Sequence, residues 1–252
     1  MRRFLKLLFT PADSPLYLTS IITPIQQAPD QELGSCAAQF AWRIPFLGLK
    51  RRFLKPAVNE RIVEMPFVLQ KLAAFPNARV LDFGCSNSPL ALELAGMGYE
   101  VVGVDLRPYG YTHPNFELLQ GDFLARSMPD NSFDAVVAVS AVEHVGLESV
   151  YGGPGQESGD RTIVKKFLQI LKPGGVLLLT VPFGRAGLNP GYRVYDSKSL
   201  DALIDGFDIM EKSFYHGDKQ RQWVKVPESG LAEVDSSAMT QGVALVFAVK
   251  PS

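Results

Sequence analysis

The sequence predicts an α/β domain built on a mostly parallel sheet with helices on both faces. Two observations carry that expectation. Short apolar runs alternate with amphipathic segments along most of the chain, and the runs are nearly continuous in Val, Leu, Ile and Ala rather than alternating with polar residues. Strands of that kind are buried on both faces, as in parallel sheets joined by helical crossovers.

The elements follow in order. Pro11, Pro15, Pro24, Pro29 and Pro45 punctuate residues 1–55 and leave little room for long helices. We take residues 1–55 as an N-terminal extension, a candidate cap over a binding site, and residues 56–252 as the main domain. Val58, Ile62, Met65, Leu69 and Leu72 recur at helical spacing, which predicts a helix within 57–75 despite Pro66. Strand-like runs are ARVLDF (78–83), EVVGVD (100–105), FELLQ (116–120), FDAVVAVS (133–140) and GVLLLTVP (175–182). Helices are expected near 88–98 and 160–172, the second closed by Lys172-Pro173-Gly174-Gly175. FDIMEKSFYH (207–216) and GVALVFAVK (242–250) supply two last strands. No crossover helix is evident between them, so they are expected to pair antiparallel at one edge.

Composition narrows the class. With 46% apolar and 20% charged residues the chain is ordinary globular material. A net charge of −1 argues against a nucleic-acid coat, which needs a basic excess. The charge is unevenly spread, however: residues 1–55 carry +5 and the remainder −6. The basic, aromatic stretch 42–56 reads as a solvated cationic face over an apolar cap, or as a contact for an acidic acceptor, a membrane surface or nucleic acid. Two cysteines, Cys36 and Cys85, make no disulfide framework, and a reducing cytoplasm is the simpler setting. The opening MRRFLKLLFTP is broken by Lys6 and stopped by Pro11, short of a signal core. No run approaches a membrane span, so a soluble protein is expected. His, Cys, Asp and Glu form no ligand cluster that points to a metal.

In such a sheet, ligands bind beyond the carboxyl ends of the strands, where strand order reverses. The first main strand ends in Asp82-Phe83-Gly84-Cys85-Ser86-Asn87-Ser88-Pro89 before a helix. Gly84 and the small Ser86 would let a ligand approach the backbone closely, although a tight turn without a ligand reads the same way. The second strand ends at Asp105, whose carboxylate could accept from the two hydroxyls of a ribose or simply cap the next turn. After the third comes Gly121-Asp122-Phe123. There the acid could take an adenine amino group beside the ring of Phe123, or face solvent beside a core aromatic. Three such features at successive strand tips are harder to dismiss than any one.

The ordered set VLDFGCSNSPLALELAGMGYEVVGVDL, GDF, MPDNSFDAVVAVSAVEHVG and LKPGGVLLLTVP resembles the motifs of class I S-adenosylmethionine-dependent methyltransferases, over residues 78–183. That resemblance implies a Rossmann-like, doubly wound, mostly parallel seven-stranded sheet with an antiparallel edge strand. It implies that Asp82, Gly84, Cys85 and Ser86 form the turn at the methionine end of the cofactor. Asp105 and Leu106 would hold the ribose, Asp122 and Phe123 the adenine, and Ser140 would lie beside the methionyl portion. The first motif departs from the family pattern, with Ser86 and Ser88-Pro89 where glycines are common. The GxGxxG turn of nicotinamide-binding enzymes is missing.

Methyl transfer from a sulfonium needs alignment above all, and a proton-bearing nucleophile also needs a base. His144, after Glu143 at the fourth strand tip, has an unperturbed pKa of about 6.5 and is the candidate catalytic residue; packing or capping is its other reading. Glu143 could orient it or bind a cation. The Gly-rich loop 145–160 is a candidate acceptor lid or a plain connection. Residues 183–196, with Arg185, Tyr192, Arg193 and Tyr195, form a second candidate wall able to grip a phosphate, carboxylate or sugar. The whole stretch EHVG…YGGPG…GD…LKPGG…VPFG…YRVYD (143–196) faintly resembles methyltransferase-like proteins linked to sugar or polysaccharide metabolism. The expected partner is therefore a small-molecule acceptor, possessing an oxygen nucleophile and in one version a sugar. The alternatives are a macromolecular acceptor (RNA, protein or glycan) and a protein that binds the cofactor without transferring methyl. Oligomeric state is not legible here.

Overall fold

The computed structural model describes residues 22–24, 56–147, 155, 158–189, 191–218, 222–236 and 240–252. Most of the proposed cap (1–55), with Cys36 and the basic stretch as far as residue 55, lies outside the described residues. So does much of the Gly-rich loop, at 148–154 and 156–157.

Strands β1 (Ile22–Pro24) and β2 (Pro56–Val58) pair antiparallel as a short ribbon. Helix α1 (Arg61–Leu72) follows, then β3 (Arg79–Phe83), α2 (Leu90–Gly96), β4 (Glu100–Asp105), β5 (Phe116–Gln120) and β6 (Phe133–Val139). Helix α3 (Gly159–Ile170) leads into β7 (Leu171–Pro182). The hairpin β8 (Gly187–Leu188) and β9 (Arg193–Val194) precedes α4 (Ser197–Leu203), β10 (Asp208–Gly217), β11 (Trp223–Val226) and β12 (Gly242–Val249).

Eight strands form the main sheet in the order β11-β10-β12-β7-β6-β3-β4-β5. The expected Rossmann-like, mostly parallel arrangement holds, with β5, β4, β3, β6 and β7 parallel. The count is eight rather than seven because β11, four residues long with a lysine in it, pairs antiparallel outside β10. The last strand, β12, is antiparallel to both β7 and β10 and lies between them.

Burial follows position in the sheet. Strand β6 is buried throughout apart from Asp134, and β7 is buried from Gly175 onward, while the edge strand β5 has only half-buried or exposed residues. Successive side chains go to opposite faces. Val80, Val101, Ala135, Val137, Val176 and Leu178 pack under α1 and α2. Leu81, Val102, Val136, Ala138, Leu177 and Leu179 pack under α3 and α4.

Two local departures from the expected elements have plain causes. Helix α3 ends at Ile170 and the Lys172–Gly175 stretch is a bulge inside β7, with Gly174 at φ +75°. Helix α1 buries Glu64, Met65, Phe67, Val68 and Leu72, whereas Ile62 is exposed, so its inner face is rotated from the apolar stripe and takes in an acid.

Candidate functional site

The chain runs from β3 outward to β4 and β5, then crosses back to β6 on the other side of β3. Strand order therefore reverses between β3 and β6, and the crevice opens beyond their carboxyl ends, as expected for such sheets. It encloses about 180 Å³, between Gly84, Asp105, Leu106, Asp122, Phe123, Ser140 and His144, with Arg61 on one wall and Gly146 and Leu147 on another.

The turn after β3 is built around Gly84. Its φ is +82°, and a Cβ there would lie 2.6 Å from the Ala141 methyl, so the two strand tips approach closely only because position 84 has no side chain. Cys85, Ser86 and Asn87 form one 3-10 turn. Cys85 is fully buried, and burial raises its thiol pKa. Ser86 donates its N–H to Asp105 and its hydroxyl to the Arg107 carbonyl. Asp82 and the side chains of Cys85 and Ser86 thus stand behind the crevice wall, while Gly84 forms it.

Among the described residues, Asp82 Oδ2 and Glu143 Oε2 are buried carboxylate oxygens with no hydrogen-bond partner. Burial pushes the Asp82 carboxyl up to about 7, with Arg61 opposing and Asp105 reinforcing the shift. Burial likewise raises Glu143 well above the ordinary carboxylate range. Arg61 joins this group from the first position of α1. Burial opposes its charge, but Glu64 and Glu60 outweigh that and raise its pKa.

Asp105 is fully engaged. Its Oδ2 accepts from Ser86 N at 3.0 Å and Arg107 Nη2 at 3.0 Å, and its Oδ1 from Arg107 N at 2.9 Å and Arg107 Nε at 2.9 Å. A carboxylate offers about four acceptor positions, so these four bonds saturate it. Burial would raise its pKa, but the bonds from Arg107 and Ser86 prevail and hold it below the usual value. Asp122 accepts the Leu124 N–H at 2.9 Å, and Phe123, buried, packs against Phe83 and Phe167 and lines the crevice. The Lys166 ammonium reaches the carbonyls of Phe123, Leu124 and Arg126 and so holds this loop from beneath.

Ser140 sits at φ +43°, a left-handed conformation that a non-glycine residue adopts at some cost. Thr180 holds its N–H, through both its carbonyl and its hydroxyl, and Glu64 accepts its hydroxyl. His144 lies in the 3-10 turn Val142–His144, its Nδ1 2.5 Å from the Gly191 carbonyl. A carbonyl only accepts, so Nδ1 carries the proton and Nε2 keeps its lone pair. Nε2 lies 3.9 Å from Glu143 Oε1. Burial lowers the His144 pKa, Gly191 opposes, and Arg61, Arg107 and Arg193 reinforce the drop, which keeps the imidazole neutral.

Three residues of the second candidate wall face inward, whereas Arg185 is exposed and pairs with Asp235 at 2.8 Å. Arg193 donates to the carbonyls of Glu143 and Val145, Tyr195 donates to Asp160, and Tyr192 donates to the Ser236 carbonyl. These residues brace the His144 turn. Arg61, Glu64 and Arg107 were not singled out from sequence. The available signal was Glu64, an acid set among the apolar residues Ile62, Val63, Met65, Phe67 and Val68.

A family model described as a methyltransferase domain matches residues 81–179. The ubiquinone biosynthesis O-methyltransferase of Xanthomonas campestris is 26% identical over 219 residues, spanning 78% of this chain and 86% of that protein. The sterol 24-C-methyltransferase of Yarrowia lipolytica is 32% identical over 123 residues, 44% of this chain and 29% of that protein. The N-methyltransferase NodS of Bradyrhizobium japonicum, solved with S-adenosyl-L-homocysteine, shares the fold at a TM-score of 0.54 and 15% identity, covering 77% of this chain and 88% of that one. The lining fits S-adenosylmethionine: a glycine turn too tight for a Cβ, and acids at the two following strand tips, Asp105 (held by Arg107) and Asp122, with the unpartnered buried oxygen of Asp82 behind that turn. Sheet order, crevice and matched segment agree: the chain carries a methyltransferase domain over residues 81–179, on the Rossmann-like fold of S-adenosylmethionine-dependent methyltransferases.

Proposed function

We propose that this enzyme methylates an oxygen of a small molecule, with His144 as the base. The observation that carries the proposal is the pairing of His144 Nδ1 with the Gly191 carbonyl, which assigns the ring proton to Nδ1 and the lone pair of this crevice-lining imidazole to Nε2. A neutral imidazole can take the hydroxyl proton of the acceptor as the new bond forms. The O-methyltransferase named above is consistent with oxygen as the nucleophile. Bound in the crevice, the cofactor supplies an electrophilic methyl group on a sulfonium.

The chain's own residues divide the binding. Arg61, on the crevice wall, would take a carboxylate, and Asp82, behind the Gly84 turn, would balance an ammonium across it. Asp105 would receive the ribose hydroxyls once Arg107 withdraws. Leu106, Asp122 and Phe123 would enclose the adenine. A sugar-containing acceptor is the more specific version of the proposal; because Arg193 and Tyr195 are engaged internally, its hydroxyls would be met by other groups. No described helix is long and apolar enough to cross a membrane, which suits a small acceptor met in the cytoplasm.

The test is a labelled-methyl assay against a panel of phenols, sugars and hydroxy acids. His144→Ala is expected to lower turnover about 100-fold, within the usual range for losing a general base. Its affinity for S-adenosylhomocysteine should stay within about twofold, because the imidazole is assigned no part in holding the nucleoside. Unchanged turnover would remove the base role.

A further inference from the structure

Helix α1 buries a carboxylate that packing does not require. Glu64 has no solvent exposure, although Met65, Val68 and Leu72 on the same inner face are apolar and a leucine would suit that face. Burying a carboxylate is costly unless both oxygens are partnered. Here they are, and the partners come from two separate elements. Oε2 accepts from Arg61 Nη1 at 2.7 Å, and Oε1 accepts from the Ser140 hydroxyl at 2.7 Å. Both partners line the crevice.

Neither partner is fixed by its own local structure. Arg61 begins α1 and carries a long side chain with many rotamers. Ser140 is held at φ +43°, where a serine gains nothing from its own backbone preference. One buried acid thus restrains two polar side chains that line the crevice, one from α1 and one from the tip of β6.

We propose that Glu64 is a positioning residue for the amino-acid end of the cofactor. It orients the Arg61 guanidinium toward a carboxylate, holds the Ser140 hydroxyl, and ties α1 to the tip of β6. The proposal rests on Arg61 being the carboxylate partner, and the test separates the two ideas.

Calorimetry with two probes tests it. S-adenosylhomocysteine carries the amino-acid chain; 5′-methylthioadenosine presents the same nucleoside without it. Glu64→Gln is expected to weaken S-adenosylhomocysteine about tenfold, the loss of one well-aligned charge-assisted bond, and to leave methylthioadenosine within about twofold. Glu64→Asp, which keeps the charge on a shorter arm, should fall between wild type and Glu64→Gln; it also serves if the glutamine variant does not fold. Equal weakening of both probes would make Glu64 a structural residue only and overturn the proposal, as would unchanged binding of S-adenosylhomocysteine. If the wild-type enzyme binds both probes equally, Arg61 is not the carboxylate partner and the proposal falls with it. If it binds neither, the assignment of the crevice itself fails.

Discussion

Removing the Arg107 side chain should make this enzyme bind its cofactor more tightly. Four donors saturate Asp105, and two of them, Nε and Nη2, belong to the Arg107 guanidinium. The other two are backbone N–H groups of Ser86 and Arg107 and survive truncation. Arg107→Ala therefore frees two acceptor positions, the number that a vicinal diol uses. Two bonds to a carboxylate would be worth about 3 kcal/mol or more if buried, but the arginine side chain is 32% exposed and partly screened. We take about 1–2 kcal/mol as the cost of displacing it, which corresponds to roughly 5- to 30-fold in affinity. The apo protein loses the same pair, so its Tm should drop by a few degrees while S-adenosylhomocysteine binds more tightly. Calorimetry and a thermal melt read the two opposite changes on one sample. Asp105→Ala is the control and should weaken binding at least about tenfold, since the ribose bonds themselves are lost. If Arg107→Ala weakens binding, the guanidinium is a ligand group and not a competitor, and this reasoning is wrong.

Two further predictions follow from the same site. Gly84→Ala must place a methyl 2.6 Å from Ala141 Cβ at φ +82°. Left-handed strain and overpacking together should cost about 2–5 kcal/mol of stability in a urea melt, and a loss under about 1 kcal/mol would mean the strand tips part easily. For pH, the base must be neutral and burial depresses the His144 pKa below its ordinary 6.5. Activity should therefore hold through neutrality and fall only as pH drops through a midpoint below 6.5, with this acid limb missing in His144→Ala. A midpoint above 6.5 would contradict the burial account.

The strands were legible because burial on both faces demands uninterrupted apolar runs, and β4, β6 and β7 have them. Gly84, Asp105, Asp122, Phe123, Ser140 and His144 were legible because each stands at or just after a strand tip, and the structure brings all six to one crevice. Residues whose importance depends on side-chain direction were not. Arg193, Tyr192 and Tyr195 read as an acceptor wall, but a polar side chain in a loop can face a ligand or its own backbone, and these take carbonyls and Asp160. Arg107 lies two residues past a recognised acid, yet nothing in the spacing says that its guanidinium folds back. Glu64 was overlooked because the apolar stripe of α1 was placed through Ile62 and Leu69, a rotation that left the acid on the outside. Strand β11 was missed because four residues with a central lysine give too short a pattern to separate from a loop.

The interior position of β12 bears on how the chain is made. Strands β10 and β11 are synthesised before it, but β10 reaches the rest of the sheet only through β12. On the ribosome, the parallel half from β3 to β7 can assemble while the β10–β11 hairpin waits with an open edge for its bridging neighbour. Residues 242–249 supply the strand that joins β7 to β10, so a chain stalled before them would leave both edges open to aggregation.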